Sequence, residues 1–186
     1  MSSPQPTTTP SPLSQHRTRI KVCGLTREQD VDAAVDAGVD AVGFVLYPPS
    51  PRAVTPQRAA QLAARLPPFV TPVLLFVNET ATNVIAASAC VTGAALQFHG
   101  DESAQDCWAA SGQGARPYLR AARIPLGDQG LDFDLVEYVH VHSRAQAILL
   151  DAHVEGYGGG GKAFHWSLLP PSVASHLVLS GGLTPA

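Results

Sequence analysis

Lys21-Val22-Cys23-Gly24-Leu25-Thr26 joins a short apolar strand to the start of a helix. Alternation over Ile20 to Cys23 puts the ammonium of Lys21 and the thiol of Cys23 on one face of that strand. Gly24 follows as the turn, and Thr26 with Gln29 three residues later has the spacing of a capping box. A free cysteine is often only a small buried hydrophobe. Here it sits beside a lysine at a strand end, a placement that suits chemistry.

The same strand-then-helix unit recurs along the chain. Val31, Ala34 and Val35 form the apolar stripe of the first helix, which Gly38 ends. Asp40 to Val45 is the second strand, and the stiff loop Tyr47 to Arg52 leads to Thr55-Pro56, a cap followed by a first-turn proline. That helix carries Ala59, Leu62, Ala63 and Leu66 on its apolar face, and Pro67-Pro68 stops it. The uninterrupted run Val73 to Val77 is a strand buried on both faces, followed by a helix over 81–90. Ala94 to Phe98 is a fourth strand, after which Asp101 is placed to cap a helix carrying Cys107 and Trp108. Pro117 to Ala122, Ala147 to Leu150 and Leu177 to Ser180 complete seven strands. A helix over 131–141 lies between the fifth and sixth, and five glycines within 156–161 precede a short helix around Trp166.

Units of this kind argue for a parallel α/β protein with right-handed crossovers, either a barrel or an open doubly wound sheet. The dinucleotide-binding form of the open sheet loses ground, because no G-x-G-x-x-G follows the first strand. Polar residues follow the strand C-termini at Cys23, Arg52, Asn78, His99, Asp151 and Ser180, where a (β/α) barrel builds its active site.

Composition limits the classes of function. The 186 residues are 45% hydrophobic and 15% charged, enough for one globular domain with a full core. A net charge of -3 supplies no positive field for a nucleic acid backbone. No apolar run is long enough to cross a bilayer, so a membrane is not an expected partner. Cys23, Cys90 and Cys107 are odd in number and widely spaced, so neither a disulfide framework nor a metal site is expected. Reduced thiols and the lack of a secretory signal pattern point to the cytoplasm. Residues 1–16 form a Ser/Pro/Thr-rich tract expected to be a disordered tail, leaving 17–186 as the domain.

Taken together, these motifs resemble the phosphoribosylanthranilate isomerase family of tryptophan biosynthesis. The likeness runs from about Arg19 to the last residue. It passes through Lys21 to Thr26, Ala41 to Phe44, Tyr47 to Arg52, Phe76 to Asn78, Leu96 to Gly100, Leu149 to Asp151, a glycine loop from Tyr157 to Lys162, and Leu179 to Leu183. The resemblance implies a parallel (β/α)8 TIM-type barrel, and an Amadori rearrangement of a small phosphorylated substrate by general acid-base catalysis, with no cofactor. It implies Cys23 as general base, Asp151 as general acid and Arg52 as the grip on the anthranilate carboxylate. His99 takes a polar role, and Ser180-Gly181-Gly182 forms part of the phosphate site. Lys21 is the candidate activator of Cys23, since a neighbouring cation favours a thiolate. A monomer or homodimer fits the same expectation.

The family would continue past Ala186 with a helix, an eighth strand and a last helix, so the expectation is a barrel truncated after its seventh strand. Two alternatives stand beside the isomerase: an inactive fragment or interaction protein needing a complementing segment, and a sugar-phosphate enzyme using Lys21 as a Schiff-base nucleophile.

Overall fold

Each strand of the sheet hydrogen-bonds in parallel to the next one along the chain, giving the order β1-β2-β3-β4-β5-β6-β7. The computed structural model describes residues 17–127, 132–152, 157 and 175–183. Its strands are β1 (Lys21–Cys23), β2 (Ala41–Val45), β3 (Thr71–Phe76), β4 (Ala95–Phe98), β5 (Tyr118–Ile124), β6 (Ala147–Ala152) and β7 (His176–Leu179). Five helices alternate with them: α1 (Glu28–Asp36), α2 (Pro56–Ala63), α3 (Ala81–Ala89), α4 (Ala104–Ala110) and α5 (Leu135–Val141). An open doubly wound sheet reverses its strand order at a switch point, whereas a barrel does not. The unbroken order therefore decides for the barrel type. Curvature agrees with it, because the ends of β1 and β7 line one cavity.

Period-two alternation sorts each strand into two faces. Val42, Phe44, Leu74, Phe76, Leu96, Phe98 and Tyr118 pack outward against Val31, Leu62, Val84 and Cys107 of the helices, forming the main core. A second cluster seats Leu135 of α5 against Ala122, Ile124, Ile148 and Leu150. The inward face holds a smaller cluster of Val45, Leu75 and Val77, with Cys23, Tyr47 and Tyr157 against it. Lys21 and Cys23 do share a face. A Cβ built on Gly43 of the neighbouring strand would meet both the Cys23 Sγ and the Lys21 Nζ.

The local signals hold in part. Thr55 accepts from the Arg58 N–H with Pro56 in the first turn, as the sequence predicts. At α1 the capping box over Thr26 and Gln29 is not made. The N-cap is Arg27, which makes no side-chain cap bond and instead pairs with Asp30 at 2.7 Å and 2.8 Å. At α4 the cap is Ser103 in a capping box with Asp106, not Asp101. Asp101 lies before the first turn, where its carboxylate is engaged by Asn78 and Arg123. The fifth helix starts at Leu135 because the side chain of Asp134 caps it, accepting from the Glu137 N–H. The expected tail over 1–16, the helix around Trp166 and the glycine loop other than Tyr157 lie outside the described residues.

Candidate active site

At the C-terminal ends of the strands a cavity of about 170 Å³ opens, and Lys21, Cys23, Arg52, His99, Asp151, Ser180 and Gly181 all line it. Seven of the eight residues given a role by the resemblance thus come together, Gly182 follows directly in the chain, and Asn78 lines a separate pocket with Asp101 and Glu102. Convergence of a thiol, a carboxylate, an imidazole and two cations on one concave site is what separates it from the rest of the surface. A larger groove of about 620 Å³ lies between α2 and α3, lined by apolar residues such as Leu46, Val54 and Phe76. It holds no such set, and its Glu79 is tied to Asn83 and Thr80.

Cys23 is a half-buried free thiol at the end of β1. Gly43 makes room for it, because a Cβ there would lie 2.6 Å from the Sγ and 3.1 Å from the Lys21 Nζ. Arg52 arrives from the proline loop after β2 and donates through Nη1 to the Cys23 carbonyl at 3.0 Å. That path runs across Gly24, where a Cβ would lie 2.5 Å from Arg52 Nη1 and where φ is +85°. One loop thus ties the arginine to the backbone of the cysteine.

Asp151 on β6, which lines the same cavity, is buried, and its Oδ2 lies 3.0 Å from His99 Nε2. Its Oδ1 accepts the Ala152 N–H at 3.1 Å. On its other side, His99 Nδ1 faces the Gln97 amide nitrogen at 3.0 Å. Gln97 is missing from the sequence-level set of site residues. The signal that finds it is its place two residues before His99, which sets both on one strand face.

Behind the His99 loop, a buried ion pair braces the backbone. Glu102 lies 3.3 Å from Arg120. Glu102 accepts from the N–H groups of Asn78 at 2.7 Å and Gly100 at 2.9 Å, while Arg120 donates to the carbonyls of Phe98 and Gly100. Hydrogen bonds that use most of both charged ends are what make such a pair tolerable away from water. Gly100 is needed here, since a Cβ would lie 2.3 Å from the Asn78 Oδ1. Asn78 itself sits at φ 52°.

Tyr157 closes one wall, meeting Tyr47 edge-on at 5.8 Å and lying under the Arg123 guanidinium at 4.5 Å. Its hydroxyl donates to Asp101 and accepts from Asn78 Nδ2 at 3.0 Å. These contacts hold the Asp101 carboxyl below the usual range, the Tyr157 hydroxyl contributing most, then Asn78 and the Arg123 charge. The three thiols differ sharply in setting. Cys107 is fully buried in α4 and pushed up to about 12 by that burial, whereas Cys90 is exposed.

After β7 the chain turns through Gly181 at φ 77° and Gly182 at φ 62°, a left-handed pair that only glycine adopts readily. The Ser180 N–H is held by the Leu150 carbonyl at 2.9 Å.

A parallel (β/α) barrel with acid-base residues converging at its C-terminal mouth belongs to the class of barrel enzymes. Residues 20–186 match the family described as N-(5'-phosphoribosyl)anthranilate (PRA) isomerase, and the chain belongs to that family. The N-(5'-phosphoribosyl)anthranilate isomerase of Methylibium petroleiphilum is 61% identical over 170 residues, which are 91% of this chain and 76% of the relative. The structure of phosphoribosyl anthranilate isomerase from Thermotoga maritima superposes with a TM-score of 0.74 at 35% identity, over 90% of this chain and 78% of that one. Another isomerase structure, in complex with reduced 1-(o-carboxyphenylamino)-1-deoxyribulose 5-phosphate, gives a TM-score of 0.71 at 32% identity. It covers 90% of this chain and 77% of that one. Among the described residues no helix is long and apolar enough to cross a membrane.

Proposed function

We propose that this chain isomerises N-(5'-phosphoribosyl)anthranilate to the carboxyphenylamino-deoxyribulose phosphate, a step of tryptophan biosynthesis carried out in the cytoplasm. The observation that carries the reading is that Cys23 and Asp151 line one cavity, in a chain that belongs to the isomerase family.

In this reading Asp151 gives a proton to the ribose ring oxygen as the bond from that oxygen to the anomeric carbon breaks. The nitrogen lone pair then makes an iminium at that carbon. Cys23, as thiolate, removes the proton from the adjacent carbon, and the C–H electrons neutralise the iminium to give an enolamine. Its tautomerisation yields the ketose. Substrate and product are isomers, so no electrons enter or leave and no cofactor is called for. General acid-base catalysis of this kind contributes about 10²- to 10⁴-fold per group.

Arg52 is assigned the anthranilate carboxylate, which a planar guanidinium can meet with two parallel N–H groups. For the phosphate, the turn at Ser180-Gly181-Gly182 offers the Gly181 and Gly182 amides, the Ser180 amide being bonded within the sheet. Lys21 stands beside Cys23 on the same strand face and is assigned as its activator. His99 acts on Asp151 through their hydrogen bond. Family membership favours this scheme over a Schiff base on Lys21 and over a purely binding role.

The test is turnover of freshly generated N-(5'-phosphoribosyl)anthranilate by the chain and its variants. Asp151→Asn should abolish turnover and leave the fold intact, and Arg52→Ala should chiefly raise KM. Near-normal turnover by Asp151→Asn would overturn the acid assignment, and unchanged constants for Arg52→Ala would overturn the clamp.

A further inference from the structure

We propose that Gln97 is a positioning residue. By donating to His99 Nδ1 it holds the imidazole in the Nε2–H tautomer, which aims a donor at Asp151 Oδ2 and steadies the carboxylate left when the acid gives up its proton. The inference deepens the acid assignment given to Asp151 above and rests on it.

The proton logic follows from two contacts, both about 3.0 Å long. The amide nitrogen of Gln97 is only a donor, so the Nδ1 it faces must be a lone pair. A neutral imidazole then carries its hydrogen on Nε2, which faces Asp151 Oδ2. Oδ2 accepts that hydrogen bond and Oδ1 accepts the Ala152 N–H, so each oxygen keeps a further lone pair and either can carry the proton that Asp151 delivers. When that proton leaves, the carboxylate keeps the Nε2–H bond and no ring has to turn. An imidazolium is excluded from this arrangement, because it would set two donors against each other at Nδ1.

Burial makes the orientation matter. Gln97 is 1% exposed, His99 5% and Asp151 7%, so a mismatched partner costs more here than at the surface. The amide has one further constraint. Gln97 Oε1 has no hydrogen-bond partner among the described residues. Turning the amide over would put an NH2 group with two donors into that unpartnered position. Buried unpaired N–H groups are rarer than under-satisfied carbonyls, so the orientation with nitrogen on Nδ1 is the better satisfied one. The rest of β4 is apolar, which leaves packing with no reason to choose glutamine at this place.

The experiment is a long-range 15N–1H correlation spectrum of the imidazoles in the full chain, with the His99 pattern assigned by its loss in His99→Asn. The expected result is a pyrrole-type Nε2 and a pyridine-type Nδ1 for His99. Gln97→Met, of similar volume but with no amide, should move the pattern toward the Nδ1–H form and lower kcat about tenfold, with KM within twofold. Gln97→Glu, which can only accept at this position, should place a proton on Nδ1. An Nδ1–H His99 in the unmodified chain would overturn the proposal, whether or not the Gln97 variants fold. So would an unmoved pattern in both variants, or a moved pattern with unchanged kcat. The acid assignment stands or falls separately on Asp151→Asn. Loss of turnover there, with an unchanged kcat for Gln97→Met, would refute the positioning role and leave the acid in place.

Discussion

Gly43→Ala tests the packing around Cys23 with one methyl group. A Cβ at this position lies 2.6 Å from the Cys23 Sγ, 3.2 Å from the Cys23 Cα and 3.1 Å from the Lys21 Nζ. Non-bonded heavy atoms keep about 3.5 Å, so the thiol must move by roughly 1 Å or the two strands must part. The lysine end can swing away, but the Cys23 backbone is held in register by β2 pairing, with Cys23 opposite Gly43 itself. Overpacking of this size costs about 1–3 kcal/mol of stability. A displacement near 1 Å in a catalytic group lowers turnover by about a hundredfold. The assay is kcat/KM together with the alkylation rate of Cys23, using the exposed Cys90 as an internal standard. Strand propensity alone predicts the opposite sign, because alanine weakens a strand interior less than glycine does. A Gly43→Ala chain that is more stable and keeps full turnover and alkylation rate would refute the steric reasoning.

Three further perturbations bear on other parts of the account. His142 is buried in contact with Tyr138, and desolvation lowers it to about 4 from the ordinary 6.5. Between those values the unfolded chain binds the proton and the native chain does not, so stability rises with pH there; it is complete above about 6.5 and lost toward 4. The full effect is about 3 kcal/mol, and urea midpoints at pH 7.5 and pH 4.5 should diverge less in His142→Phe than in the native chain. Glu102→Gln leaves Arg120 buried without its counter-charge and should destabilise by about 3–5 kcal/mol in urea unfolding; a change below 1 kcal/mol would argue against the brace. Tyr157→Phe removes the hydroxyl from Asp101 and Asn78, so the Asp101 carboxyl should titrate higher by NMR while stability changes by less than about 1 kcal/mol.

Residues in sequence and residues in space carried different parts of the result. Period-two alternation was enough to place Lys21 and Cys23 on one face, and the Thr55-Pro56 signal located the start of α2. Both depend on near neighbours alone. Barrel and open sheet share the same local pattern, and only strand pairing separates them. Caps went astray where another group claimed the residue: Asp101 is drawn to Asn78, Arg123 and Tyr157, so Ser103 caps α4. His99 and Asp151 are 52 residues apart, and no spacing rule joins them. Gln97 in an apolar strand was a visible clue, but its meaning depends on the imidazole beside it. Tyr157 lies among glycines, and its contacts come from the loops after β2, β3 and β4 and from the end of β5, which only the curled sheet brings to it.

The central claim is that Cys23 takes the proton from the carbon beside the anomeric centre in the cavity that Asp151 shares. Substrate carrying deuterium at that carbon reports on the step directly. The native chain should form product and lose the label from that position, with slower turnover than for unlabelled substrate. Cys23→Ala should hold the label and lose turnover by about 10²- to 10⁴-fold, with its fold unchanged. Label release and product formation by Cys23→Ala at near the native rate would contradict the account.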